Sequence, residues 1–170
     1  MKPLVTAVLH VCITVPDVDE ALRFYRDVLG FVSVFETRTD EADGPLLGFD
    51  EPGIGLYAHH ILAPGADPAT ATQINLVEFT EPPTDVSDGP YRGMDHVGIT
   101  RLALAVDSVD RAYEGVRNHP GVTPVCPPKD IVIREADATF VARWCSFTDP
   151  FGVFLTMAEP PRIASPAALA

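Results

Sequence analysis

The chain contains itself twice. The stretch beginning at His10, HVCITVPDVDEALRFYRDVLGFVSV, lies without a gap over the one beginning at Arg101, RLALAVDSVDRAYEGVRNHPGVTPV. Valine recurs at Val15 and Val106, aspartate at Asp19 and Asp110, alanine at Ala21 and Ala112, and glycine at Gly30 and Gly121. Such self-similarity restricts the fold to two copies of one supersecondary unit. Both copies close on Glu-Pro-Pro, which sets 77–83 against 155–161, makes Glu78 the counterpart of Thr156 and leaves the first copy roughly 13 residues longer. We place that insertion near 57–72, where His59 and His60 adjoin a Pro/Ala/Gly-rich loop. The Asp149-Pro150-Phe151-Gly152 turn of the second copy then has its counterpart in Asp50-Glu51-Pro52-Gly53.

Each copy opens with alternating apolar residues, and the period then changes to three and four: Val18, Ala21, Leu22, Tyr25 and Leu29, and again Val109, Ala112, Tyr113 and Val116. The change marks a strand followed by an amphipathic helix. Asp17 and Asp107 are the expected N-caps, with Glu20 and Asp110 complementing the helix N-termini. Gly30 and Gly121 end the helices and release the next strand. Each module reads as βαβββ. The expected fold is α+β: two modules, 1–83 and 99–161, forming a cup-shaped mixed sheet with helices on the outer face, in one structural domain. A Gly/Asp/Pro-rich linker, 84–98, joins them, and 162–170 is a loose tail.

Composition narrows the partners. With 24 acidic against 12 basic residues the formal charge is −12, which repels nucleic acid and anionic membranes. No run reaches the ~20 apolar residues of a membrane span, and Met1 to Ala7 lacks the pattern of a signal peptide. Cys12, Cys126 and Cys145 form no C-x-x-C pair, so reduced thiols in a cytoplasmic protein are expected.

Strand alternation assigns faces. On the first strand Val11, Ile13 and Val15 belong under the helix, which turns His10, Cys12 and Thr14 to the open face. On the equivalent strand Arg101, Ala103 and Ala105 face outward. On the closing strands Val77 and Phe79, or Leu155 and Met157, go under the helices, which leaves Glu78 and Thr80, or Thr156 and Ala158, on the open face. His10, Glu78, Arg101 and Thr156 are thus the candidate centre, and Cys12, Thr14, Thr80, Ala103, Thr156 and Ala158 the candidate ligand pocket. Trp144, Phe154 and Tyr57 are candidate walls.

The segment HVCITVPDVDEALRFYRDVLGF, the Asp-Pro-Phe-Gly turn and the closing Glu-Pro strands resemble the vicinal oxygen chelate superfamily, which includes glyoxalases, bleomycin-resistance proteins and extradiol dioxygenases. The resemblance spans nearly the whole chain and implies small-molecule binding and a homodimer. In metal-dependent members four repeat-related positions hold His, Glu, His and Glu around a divalent ion. His10 and Glu78 match that set; Arg101 and Thr156 depart from it. A guanidinium cannot be a metal ligand and repels a cation, so no metal or other cofactor is favoured, and any metal present would rest on His10 and Glu78. Extradiol oxygen chemistry needs a complete iron triad and fits badly.

Two functions follow as expectations. One is a metal-independent lyase, isomerase or cyclase, in which Glu78 or His10 moves a proton and Arg101 holds the negative charge that develops on oxygen. Imidazole is the side chain whose ordinary titration range covers neutral pH. The other is a non-catalytic protein that sequesters a small natural product or antibiotic. Against both stand plainer readings: an Arg-Glu pair as a structural relic, His10 as an ordinary strand histidine, His59 and His60 as solvated loop residues, Cys12 as a small hydrophobe. His96, beside the linker, is a candidate replacement ligand.

Overall fold

The computed structural model describes residues 4–87, 94–95, 97–134 and 138–164. The chain forms two compact units, Met1–Asp88 and Gly89–Ala170, whose boundary lies inside the segment read as the linker. His96 lies outside the described residues.

The first unit runs β1 (His10–Thr14), α1 (Val18–Leu22) with a π-helical continuation (Arg23–Val28), β2 (Val32–Asp43), a short α2 (Gly44–Leu47), β3 (Gly53–Leu62) and β4 (Gln73–Glu81). The second runs β5 (Leu102–Ala105), α3 (Val109–Val116), β6 (Thr123–Arg134), β7 (Thr139–Thr148), β8 (Phe154–Ala158) and β9 (Arg162–Ile163). The strand orders are β1-β4-β3-β2 and β5-β8-β7-β6, with β1–β4 and β5–β8 parallel and the other pairs along these paths antiparallel. Each unit is therefore an open mixed sheet of the expected βαβββ type. The tail is tied down at its start, because β9 pairs with β7 and Arg162 Nη2 donates to Asp130 Oδ2 at 3.2 Å.

The helices form for local reasons. Asp17 caps α1, its carboxylate accepting from the Glu20 amide at 2.8 Å. The cap of α3 is Ser108, not Asp107: its hydroxyl accepts from the Arg111 amide at 3.3 Å. Ser108 is the residue that the gapless repeat sets against Asp17, and an N-cap must sit one residue before the first helical turn, whatever acid precedes it. Gly30 and Gly121 take φ of 83° and 81°, a conformation that costs glycine nothing. A Cβ on Gly121 would also come within 2.9 Å of Pro150 in the Asp-Pro-Phe-Gly turn. That turn is held by buried Asp149, whose Oδ1 accepts from the amides of Phe151 at 2.9 Å and Val153 at 2.7 Å.

Apolar residues close each unit separately. Val15, Val18, Ala21, Phe24, Tyr25, Ile54, Ile61 and Leu76 are buried in the first. Val109, Val116, Val141, Cys145, Phe147, Leu155 and Met157 are buried in the second. Burial pushes the Cys145 thiol pKa up.

The parallel registers correct the repeat alignment at its far end. Val11 pairs with Ile74 on β4, and Leu102, its repeat partner, pairs with Leu155 on β8. Carried along both strands, this makes Asn75 the counterpart of Thr156 and Glu78 the counterpart of Glu159. The hydrogen bonds agree: Glu78 Oε2 accepts from the Val18 amide at 3.0 Å, and Glu159 Oε1 from the Val109 amide at 2.9 Å. Each carboxylate meets the first amide of its unit's helix, where the helix dipole favours negative charge. The matching Glu-Pro-Pro motifs are out of structural register. The extra length of the first module is split between two connections: nine residues, 44–52, against four, 135–138, and ten, 63–72, against five, 149–153. Asp50-Glu51-Pro52-Gly53 thus leads into β3, which begins at Gly53, and is not the counterpart of the 149–152 turn, which precedes β8.

Exchanging Glu159 for alanine is expected to cost about 1 kcal/mol, since it leaves a helix-terminal amide without its acceptor. A urea melt at unchanged slope reads this loss directly. An unmoved midpoint would show that the carboxylate does not anchor the helix.

Candidate functional site

Residues paired across neighbouring strands share a face. Buried Ile13 pairs with Leu76, which puts Leu76 and, two residues on, Glu78 on the helix face of the first sheet. His10, Cys12 and Thr14 share the open face with Gln73, Asn75 and Val77. Glu78 was expected on the open face beside His10. It lies on the other side, engaged with the α1 terminus, because the row of β4 that shares the face of buried Ile13 is Ile74, Leu76 and Glu78 rather than Val77 and Phe79. Phe79 packs against Phe49, ring centroids 5.1 Å apart, and Thr80 is exposed next to the register shift between Gly55 and Leu56.

The two adjacent histidines lie on strand β3, not in a solvated loop. They point to opposite faces. His59, 7% exposed, turns to the helix face, where Nδ1 is 2.9 Å from Ser33 Oγ and Nε2 is 3.0 Å from the Tyr57 hydroxyl. Tyr57 donates to Asp19 on α1 at 3.3 Å, and Arg38 lies over its ring at 4.9 Å. Desolvation and the nearby Asp19 and Glu36 raise the Tyr57 pKa. Tyr57 is therefore part of a strut between sheet and helix, not a pocket wall. The second unit builds the same strut from different chemistry: Arg143 on β7 grips Asp110 on α3 through two bonds of 2.6 and 2.7 Å and also reaches Asp130 at 3.1 Å. These bonds raise the Arg143 pKa and lower that of Asp110.

His60 faces the open side. Its ring meets that of His10 edge-on at 5.1 Å and that of Phe35 at 5.7 Å. Its Nδ1 is 2.7 Å from Gln73 Oε1, and Gln73 Nε2 in turn donates to the Pro68 carbonyl at 3.3 Å. Next to it, Asn75 Nδ2 donates to Cys12 Sγ at 3.8 Å, while the buried Asn75 Oδ1 has no partner among the described residues. His10 and Gln73 border a cavity of about 540 Å³ that is also lined by Thr6, Leu9, Pro68 and Thr70. Its volume falls within the range of small-molecule sites.

On the open face of the second unit, Arg101 is exposed and lies over the Trp144 ring, 5.7 Å from its centroid. Trp144 pairs with Ala158, and Thr156 with Ala103 and Ser146. Thr156 and Ala158 take the predicted face. Trp144, Ala103, Ala105, Ala142, Ala158 and Pro160 border an apolar cavity of about 290 Å³. The buried Trp144 Nε1 and Thr156 Oγ1 have no hydrogen-bond partner among the described residues. Phe154 opens β8, half-buried.

The residues do not fit the divalent ion of metal-dependent chelate proteins. His10 and Glu78 project from opposite faces of one sheet, and Glu78 is already engaged. Among the described residues no three His, Cys, Asp or Glu side chains are grouped to hold a metal. Nor is any helix among them long and apolar enough to cross a membrane.

Comparison with known proteins agrees with the topology. Residues 7–157 match the model of the Glyoxalase/Bleomycin resistance protein/Dioxygenase superfamily. The chain belongs to this superfamily. Within the superfamily it is 31% identical over 163 residues to a 2-epi-5-epi-valiolone epimerase of Actinomyces sp., covering 94% of this chain and 82% of the relative. A glyoxalase family protein from Bacillus cereus superposes with a TM-score of 0.69 at 20% identity, over 93% of this chain and 96% of that one. An antibiotic binding protein from a Streptomyces species superposes at 0.53, also at 20% identity, over 94% and 99%. The superfamily's fold was legible in the sequence, whereas the placement of His60 was not. The signal that could have found it is the alternation Tyr57, His59, Ile61 against Ala58, His60, Leu62, once this stretch is read as strand rather than loop.

Proposed function

We propose that this protein is an isomerase that epimerises a small polyhydroxylated ketone of the kind named for its Actinomyces relative. The observation that carries the reading is the 31% identity across 94% of the chain, joined to the position of His10 on the rim of the first unit's cavity. Inverting a carbon next to a carbonyl requires its proton to leave and another to return. The electron pair rests meanwhile on the carbonyl oxygen. The Glu78 carboxylate is spent on the helix terminus, so proton transport falls to His10, which is exposed to solvent. In the second unit Arg101 lies over the Trp144 ring and has no carboxylate contact among the described residues, so its N–H donors are available to an oxygen of a ligand on that unit's open face. The reading includes a cytoplasmic homodimer, supported by the exposed apolar residues Val32, Val34 and Phe35 on edge strand β2.

Incubating the protein with 2-epi-5-epi-valiolone in D2O tests the reading by NMR. The expected product is the epimer carrying deuterium at the inverted carbon. Neither epimer nor exchange after prolonged incubation would end it.

A second reading, sequestration of a small apolar ligand, draws on the apolar cavity of the second unit and the Trp144 Nε1–H beside it, which has no partner among the described residues. Trp144 is the only tryptophan of the chain, so its fluorescence reports binding there. Titration with planar aromatic natural products should quench it saturably; an unchanged spectrum across the series removes this reading.

A further inference from the structure

We infer that His60 is a second proton carrier of the site, the base that takes the proton from the substrate carbon, and that Gln73 is its positioning residue. The inference rests on the epimerase reading for its substrate, but its geometry is independent of that reading.

The hydrogen-bond chain determines where the His60 proton sits. The Pro68 carbonyl can only accept, so the group that Gln73 turns to it is the NH2. The other end of the same amide, Oε1, therefore points at His60 Nδ1, 2.7 Å away. A carbonyl oxygen cannot donate, so Nδ1 carries the hydrogen. In the neutral ring Nε2 is then the nitrogen that keeps its lone pair and can take up a proton. The rings of His10 and Phe35 pack edge-on against the imidazole and hold its plane. A histidine whose tautomer and orientation are both set by its surroundings is the arrangement a general base requires.

The chain that fixes His60 is peculiar to the first module. Pro68 lies in the ten-residue connection 63–72, whose counterpart 149–153 has five residues. The residue that the repeat sets against His60 is Ser146, which pairs with Thr156 as His60 pairs with Asn75. The longer connection thus supplies the carbonyl that orients Gln73, and Gln73 also borders the cavity beside His10.

The step balances without any cofactor. His60 Nε2 takes the proton as the C–H bond breaks, and its electron pair moves onto the carbonyl oxygen as an enolate. His10 passes that proton to solvent. The carbon then takes a proton from a water molecule on its other face, and the hydroxide so formed is neutralised by the released proton.

Three measurements on the full chain test this. Long-range proton–nitrogen NMR should show His60 protonated at Nδ1 in the unaltered protein, with this signature lost in Gln73→Leu. His60→Gln should lower kcat on 2-epi-5-epi-valiolone by at least about 100-fold with KM within threefold, and deuterium entry should fall in parallel. Gln73→Leu should lower kcat about tenfold, with Gln73→Glu, which keeps an acceptor at Nδ1, restoring most of it. A His60 protonated at Nε2, or a His60→Gln protein within threefold of the unaltered rate, overturns the inference. An unaltered protein inert toward the ketone removes the epimerase reading instead, and the tautomer then decides His60 alone: protonation at Nε2 excludes it as an acceptor.

Discussion

Changing His10 to asparagine is expected to lower turnover of the ketone by roughly 10²- to 10³-fold while leaving the melting temperature within a few degrees. The rate loss is the size expected when a positioned proton carrier is removed. The small thermal change follows from its place: His10 is exposed at the start of β1, and among the described residues its ring meets only that of His60. Asparagine keeps the polarity and the strand but cannot shuttle a proton. KM should change little, because the side chain is asked to move a proton rather than to bind. Steady-state kinetics with the purified variant decide it, and a turnover within threefold of the unaltered chain would remove His10 from the mechanism.

Phe147 lies at the other extreme, fully buried on β7 between β6 and β8, paired with Pro124 and Leu155. Truncation to alanine should cost about 3–5 kcal/mol, from lost apolar burial plus the cavity left behind. A loss of that size consumes a large share of what holds a unit of this size together. Because Phe147 lies in the second compact unit, the effect should appear first there, and that unit carries the sole tryptophan. Tryptophan fluorescence in a urea titration should therefore shift to lower midpoint ahead of the far-ultraviolet circular dichroism. Coincident and unshifted transitions would show that the second unit is not stabilised by this side chain.

The register of β4 shows how far residue patterns reach. In INLVEFTEPP, apolar residues occupy both alternating rows: Ile74 and Leu76 in one, Val77 and Phe79 in the other. Periodicity of two cannot choose between rows that are both apolar. The Glu-Pro-Pro motif then pulled the choice toward the wrong row, because a motif match scores identity and not hydrogen-bond partners. Only the pairing of β1 with β4, and the capture of Glu78 by the Val18 amide, settled it. His59 and His60 failed for a related reason. A Pro- and Gly-rich sequence beside them reads as a loop, and the strand ends only at Leu62.

By itself the sequence determined the two βαβββ modules, the stop glycines, the cap at Asp17 and the open-face positions of His10, Arg101, Thr156 and Ala158. These follow from local rules, period and turn chemistry, that act within a few residues. Tertiary structure decided which carboxylate anchors a helix, which face Glu78 takes, and that Gln73, His60 and His10 meet. Those contacts join residues 13 apart, as for His60 and Gln73, or 60 apart, as for Glu78 and Val18. They depend on strand register, a property of the folded sheet that no single stretch of chain contains.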